Sequence, residues 1–363
     1  MVHLEVPSLP EPAWWRGRRV LVTGSTGFKG SWLTLWLHRL GAQVQGLALP
    51  PHTEPSLFKA ARLDQLAPTA LVDLRDRAAV ATAVRTAAPE IILHLAAQAL
   101  VGHAHQHPME TFDINTTGTL NVLEAIRQTP SVRCAVLATT DKVYRDTGDR
   151  QTFAEDAPLG GSEAYGASKA AAELIVSAYR EAFLKPRGVA IATVRAGNVV
   201  GGGDWSDRRL FPEMIRAWSQ NRPLVVRMPD AIRPWQHVLE PLAGYLILTE
   251  RLSQDRSLAG AWNFGPDASA VANVRRVVEI AQKAHGGGAV QWHGPASPFH
   301  ESDFLAVDSS QARDRLGVRC QWDLNRTIQA TIAWYGRYRD GGDARALCDT
   351  DLESYQRSRP LVS

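Results

Sequence analysis

A short β-branched run that ends in a spaced glycine triplet restricts this chain more than any other feature. Arg19–Thr23 reads as a strand leading directly into Gly24-Ser25-Thr26-Gly27-Phe28-Lys29-Gly30, and an apolar helix pattern runs from Phe28 to Leu40. Glycines three apart at a strand–helix junction divide the work of holding an anion. Gly24 permits a tight turn, Gly27 lets backbone N–H groups approach, and Gly30 lets the helix pack close to the strand. The helix N-terminus adds a positive dipole end. The junction therefore reads as the phosphate-binding turn of a dinucleotide fold, with Gly24, Thr26, Gly27, Phe28, Lys29 and Gly30 around the pyrophosphate.

The rhythm that follows agrees with this. Strand patterns at Gln43–Leu49, Ala70–Val72, Glu90–Leu95, Val132–Thr139 and Gly188–Ala196 alternate with helix patterns near Asp76–Ala88, Pro108–Arg127 and Glu163–Leu184. Several strands are apolar at nearly every position, as parallel strands covered on both faces must be. The expectation is an α/β, Rossmann-type doubly wound parallel sheet with a smaller α/β C-terminal substrate lobe. Residues 1–15 read as a loose arm, 16–200 and 236–264 as the dinucleotide domain, and 201–235 and 265–340 as the lobe. The lobe carries a helix at Leu210–Ser219, a strand at Leu224–Arg227, and helices near Val271–Ala284 and Asn325–Arg337. A helix near Leu239–Leu252 belongs with the sheet. Residues 341–363 carry no legible pattern and read as a tail.

Composition narrows the class. Forty basic residues against 37 acidic ones give no polyanion-binding bias, so no nucleic acid is expected. Three cysteines without ligand spacing suit a reducing compartment. No apolar stretch approaches the roughly 20 residues that span a bilayer, and the N-terminus lacks a secretion pattern, so a cytoplasmic protein is expected. His103 and His105 lack further ligands, and no metal is expected.

The chemistry-bearing residues cluster after the fifth strand. Thr140-Asp141-Lys142 stand at its end, and Tyr165 and Lys169 follow on one face of the next helix. An ammonium beside a phenol stabilises phenolate and makes the tyrosine a usable base, while Thr140 can bind the same substrate oxygen. Asp141 and Lys142 exceed what alcohol oxidation needs. They either supply the acid and base of an elimination, or cap a turn and face solvent.

The cofactor choice rests on what is missing. No acid stands at the end of the second strand, where Leu49, Pro50 and Pro51 occur, and no nearby arginine suits a 2′-phosphate. NAD is favoured. Asp73, followed by Leu74, either accepts from the adenine amino group or caps a helix. Leu95, Ala96 and Ala97 end the fourth strand where the dinucleotide would rest.

Taken together, the motifs TGSTGFKGSWL (Thr23–Leu33), EIILHLAAQ (Glu90–Gln98), TTDKVY (Thr139–Tyr144), RAGNVVGGGDW (Arg195–Trp205), IRPWQHVLEPLAGYL (Ile232–Leu246) and AWNFGP (Ala261–Pro266) resemble one group. It is the nucleotide-sugar branch of the extended short-chain dehydrogenases, and within it the CDP-glucose 4,6-dehydratases. The resemblance implies oxidation of a nucleotide-linked hexose at C4 with Tyr165 as base. Loss of water follows, with Lys142 taking the C5 proton and Asp141 protonating the 6-hydroxyl, and hydride returns to C6. It further implies Asn198 and Trp205 as walls of the sugar site and Arg209 and Arg233 on the diphosphate. His237 and Trp235 would line the nucleotide pocket, unless Trp235 is simply core. A homodimer through Pro108–Arg127 and Glu163–Leu184 is expected on the same ground. The chain departs from the group at Gly102-His103-Ala104-His105, where arginines and a tyrosine are usual, and at Thr140, where serine is usual. The competing readings are a 4-epimerase or related oxidoreductase, and an NAD-binding protein without catalysis.

Overall fold

The computed structural model of the protein describes residues 9–146, 148–266, 271–293 and 303–358. Seven strands form one sheet: β1 (Arg19–Thr23), β2 (Gln43–Ala48), β3 (Thr69–Leu71), β4 (Ile91–His94), β5 (Cys134–Ala138), β6 (Ala190–Ala196) and β7 (Ala261–Phe264). Their spatial order is β7-β6-β5-β4-β1-β2-β3, and every pairing is parallel. Strand succession reverses between β1 and β4, so the crevice at their C-terminal ends is where a doubly wound sheet binds ligands.

Side-chain alternation explains the apolar strands. Val20, Val22, Ile91, Leu93, Cys134 and Val136 enter the core on one face, whereas Leu21, Ile92, Ala135 and Leu137 enter the other. The second face is covered by helices Arg77–Ala87, Gly118–Gln128 and Ala164–Tyr179. The first is covered by Phe28–Arg39 and Leu239–Gln254. A separate cluster of Phe211, Met214, Trp218, Leu224, Val226 and Trp235 forms the core beside the crevice.

Most predicted elements stand within a few residues of their expected bounds. The helix expected over Pro108–Arg127 is interrupted by a π turn at Asp113–Thr117, and a second π turn at Arg180–Leu184 follows Tyr179. Both chain ends differ from expectation. Pro12–Trp15 is a helical turn whose Trp15 is fully buried and donates its indole N–H to Glu250 at 2.6 Å, so the inner part of the expected arm is anchored. The expected tail contains a helix, Ala344–Arg357, with Leu347, Cys348, Leu352 and Tyr355 buried against Phe28–Arg39 and its neighbours. The stripe that seats it is only these few residues wide and lies among charged ones, which hid the helical period. Residues 1–8 and 359–363 of the expected arm and tail lie outside the described residues.

Candidate active site

The glycine turn is shaped as its spacing demands. Gly24 has φ +73°, and a Cβ there would lie 2.7 Å from the Ala96 backbone nitrogen. At Gly30 a Cβ would lie 2.0 Å from the Gly24 carbonyl oxygen, so only glycine lets the helix start this close to β1. Gly27 faces open space on its Cα side apart from one ordinary contact, which leaves its side of the turn free for an anion. Thr26 donates its hydroxyl to Leu49 O at 2.8 Å, tying the turn to the end of β2. The Leu95 and Ala96 N–H groups are fixed by Thr23 O at 3.1 Å and Thr23 Oγ1 at 3.2 Å, and Ala97 follows, half-buried. This cradle fits a dinucleotide pyrophosphate.

At the adenine end, Asp73 is held by Arg75, which donates its backbone N–H at 2.9 Å and two guanidinium nitrogens. The ion pair holds the Asp73 carboxyl below its ordinary range. The helix that follows is capped by Asp76 instead, so Asp73 is not the cap. Leu74 is buried, and its carbonyl accepts from Asn121 Nδ2 at 2.8 Å.

The expected reacting groups converge. Asp141–Val143 forms a single 3₁₀ turn after β5, with the Thr140 side chain accepting from the Lys142 N–H. The Thr140 hydroxyl donates to Asp141 Oδ1 at 3.1 Å and stands close enough to the Tyr165 phenol to ease its ionisation. Asp141 is 3% exposed, and its other oxygen, Oδ2, has no hydrogen-bond partner. Gly197 makes that possible, because a Cβ there would lie 2.7 Å from Oδ2 and 2.4 Å from Pro234. Burial raises the Asp141 carboxyl to about 6, opposed by the charges of Lys142, Arg233 and Lys29. A carboxyl held there can be either form near neutrality, as a proton donor must. Half-buried Lys142 stands within electrostatic reach of it.

The tyrosine–lysine pair differs from its expected arrangement. Buried Lys169 donates to the Ala138 carbonyl at 2.8 Å rather than to the phenol, and burial lowers its ammonium to about 8. Tyr165 is pushed up to about 12 by desolvation, with Asp141 and Glu163 adding to the rise, so its phenol is a neutral donor in this state. Bringing it into a base's range requires positive charge beside it.

A cavity lies along the helix Leu210–Ser219, and two of its lining residues, Arg233 and Arg209, stand within electrostatic reach of Asp141 and Tyr165. Asn198, Arg209, Arg233 and Trp235 line it, and Arg208 and Arg227 join them. Arg209 also donates to Ala99 O at 3.3 Å, next to the departing Gly102 stretch. A Cβ on Gly102 would lie 2.6 Å from Arg208 Nη1, so the missing side chain makes room for that arginine. Trp235 proves to be both wall and core, donating to Ala272 O at 3.2 Å.

Two expected substrate contacts are displaced. Trp205 packs against Trp334, Tyr335 and Tyr338 at 5.3–6.1 Å between ring centroids, away from the cavity lining. His237 has no exposed surface and lies between Trp32 and Trp322. Burial keeps its ring neutral down to about 3, so it serves packing rather than the pocket. His103 pairs with Glu110 at 2.9 Å and stacks on His107, and among the described residues no His/Cys/Asp/Glu group has metal-holding geometry.

Two supports, and the partner of Lys29, were missed in the sequence. Asn115, in the π turn, clamps Gln98 through both backbone groups and donates to Ser168 Oγ at 2.9 Å, joining β4's end to the Tyr165 helix. Glu173 and Arg195 form a buried ion pair behind Thr139. Lys29 meets Tyr245 at 3.4 Å. A π turn inside a long helix often marks a functional position, but nothing in local composition announces it.

With this geometry in view, the similarities to known proteins are specific. The NAD dependent epimerase/dehydratase family profile matches residues 20–265. A CDP-glucose 4,6-dehydratase of Salmonella typhimurium is 39% identical over 347 residues, covering 94% of this chain and 97% of its own. A dTDP-glucose 4,6-dehydratase of Neisseria gonorrhoeae is 27% identical, covering 88% and 95%. The Thermus thermophilus UDP-glucose 4-epimerase structure in complex with NAD superposes with TM-score 0.75 at 25% identity, covering 88% of this chain and 99% of that one. A match spanning most of the sheet, joined to a relative similar along nearly its whole length, makes this chain a member of the NAD-dependent epimerase/dehydratase family.

Proposed function

We propose that this protein dehydrates a nucleotide-activated hexose, CDP-glucose by preference, to the 4-keto-6-deoxy sugar. The carrying observation is the Thr140 hydroxyl, which donates to the buried Asp141 carboxyl and stands beside the Tyr165 phenol, with two arginines of the adjoining cavity in electrostatic reach. Simple alcohol oxidation needs no titratable acid at that hydroxyl; elimination does.

NAD, when bound, accepts hydride from C4 and returns it to C6. The protein's side chains do the rest. Tyr165, as phenolate, receives the C4 hydroxyl proton, with Thr140 and the Lys169 ammonium easing its ionisation. The resulting ketone acidifies the C5–H; Lys142 removes that proton and returns one to C5 when hydride reaches C6, which completes the 4-keto-6-deoxy sugar. Asp141, protonated at Oδ2, gives its proton to the departing C6 hydroxyl, so water leaves and the carboxylate remains beside Lys142. Arg209 and Arg233 hold the diphosphate, with guanidinium geometry suited to phosphate oxygens. The glycine turn, Asp73 and Leu74 hold the dinucleotide, and residues 201–235 with 265–340 carry most of the sugar-nucleotide site.

A homodimer through the Pro108–Gln128 and Ala164–Leu184 helices is supported by Met109, Leu174 and Phe183, large apolar side chains left exposed along them. Among the described residues no helix is long and apolar enough to cross a membrane.

The test is incubation of the protein, with NAD, against CDP-, dTDP-, UDP- and GDP-glucose, followed by mass spectrometry. Loss of water from CDP-glucose without net cofactor reduction is expected. Recovery of all four sugars unchanged in mass, or epimerisation at C4 without deuterium entering C5 from heavy water, refutes the proposal.

A further inference from the structure

Lys29 is the member of the glycine turn that phosphate binding leaves unexplained. It is the second residue of the Phe28–Arg39 helix, where the dipole end opposes a cation. Its ammonium is partly enclosed, donates to Tyr245 OH at 3.4 Å and lies 5.5 Å from that ring's centre. The charges that face it are those of Arg209, Lys169 and Asp141, two cations against one carboxylate. Burial with those cations lowers it to about 8. A lysine so placed is destabilised, since one carboxylate does not offset burial and two cations, and apolar residues would fill the space more stably.

Its position says what the charge acts on. Lys29 leaves the turn that would hold the pyrophosphate and reaches the electrostatic range of Asp141 and Lys169, the groups around the reacting carbon. That span is the part of the crevice a nicotinamide must occupy to exchange hydride with a carbon held at Tyr165. An oxidised nicotinamide ring carries a positive charge and the reduced ring carries none. We infer that the Lys29 ammonium, held by Tyr245, biases the bound cofactor toward its reduced form.

The inference rests on the proposed dinucleotide site but not on dehydration. A bias of this kind favours the first oxidation and retains the reduced cofactor until hydride returns. Tyr245 acts here as a positioning residue, fixing the ammonium without touching the ring.

The experiment measures dissociation constants for NAD and NADH with the full chain, by calorimetry and NADH fluorescence. It compares wild type, Lys29→Met and Lys29→Arg at pH 7. The ratio of the NAD constant to the NADH constant is expected to fall on the order of tenfold in Lys29→Met and to stay near wild type in Lys29→Arg. Lys169 is also held near 8, so a pH series is read as the difference between wild type and Lys29→Met. That difference is expected to vanish as pH rises past about 9. Equal weakening of both ligands in Lys29→Met overturns the inference and leaves Lys29 a phosphate clamp. Should Lys29→Met not fold, a wild-type ratio unchanged between pH 7 and 9 overturns it equally. Failure of the dehydratase reading appears elsewhere, as absent product with an intact affinity ratio.

Discussion

Glu173 grips Arg195 through two parallel hydrogen bonds, Nε to Oε1 at 2.9 Å and Nη2 to Oε2 at 3.0 Å, with both side chains 4% exposed. Thr139 and Thr193 donate to the same carboxylate at 2.6 and 2.7 Å, and Arg195 also donates to Tyr144 OH at 2.8 Å. The pair thus bolts the Tyr165–Lys169 helix to β5 and β6 and fixes the turn carrying Thr140. Glu173→Ala leaves a buried guanidinium unanswered and is expected to cost about 3–5 kcal/mol. Chemical denaturation measures it, and a loss under 1 kcal/mol contradicts the role.

Tyr165→Phe is expected to lower turnover by at least about 10³-fold, in the range of lost acid–base catalysis, with NAD affinity changed less than about twofold. Thr140→Val should follow part of the way and Thr140→Ser should retain most activity, because the hydroxyl is what joins phenol and carboxyl. Steady-state rates beside a binding titration separate these effects.

Lys142→Met should divide the reaction. Oxidation at C4 proceeds while C5 exchange stops, so reduced-cofactor absorbance accumulates in a single turnover and no solvent deuterium enters C5. Asp141→Asn should allow C5 exchange but block loss of water. Identical behaviour of the two variants contradicts the separate roles of base and acid.

Glu240 makes stability pH-dependent. Its carboxyl is buried, accepts from Gln321 N, Trp322 N and Tyr355 OH, and is raised from 4.5 to about 7 by desolvation. A carboxyl raised on folding keeps in the folded state a proton that the unfolded chain releases. Its contribution to stability is therefore greatest below about pH 4.5, falls between 4.5 and 7, and stays low above. Glu240→Gln should flatten that part of the slope in denaturation midpoints taken from pH 5 to 8. An unchanged slope points to other raised carboxyls, among them Asp141, Glu155, Glu250 and Asp351.

How much of this was legible follows from what each residue needs. Gly24 and Gly30 were readable because their backbone contacts admit one residue type at a fixed spacing. Thr140, Tyr165 and Lys169 were readable because a strand end and one helical turn fix their relation. Trp205 and His237 misled because a motif preserves residue type without saying which way a ring turns. Trp205 turned to Trp334, and His237 to Trp32 and Trp322, partners far along the chain. Lys169 lies one helical turn from Tyr165, but the Ala138 carbonyl that accepts its hydrogen bond belongs to a strand, which spacing along the helix does not announce. The Ala344–Arg357 helix stayed hidden because its partners arrive from sequence-distant elements.

That last helix has a consequence for synthesis. Arg39 meets Asp349 across 310 residues, and Trp36 meets Tyr355 edge-on at 5.8 Å. The outer side of the first crossover helix therefore stays bare on the ribosome until nearly the whole polypeptide has emerged. Closing so long a loop delays the contact far more than it weakens it. A nascent chain stopped short of Tyr355 carries two uncovered tryptophans, Trp36 and Trp322, and is the form that chaperones or proteases would meet.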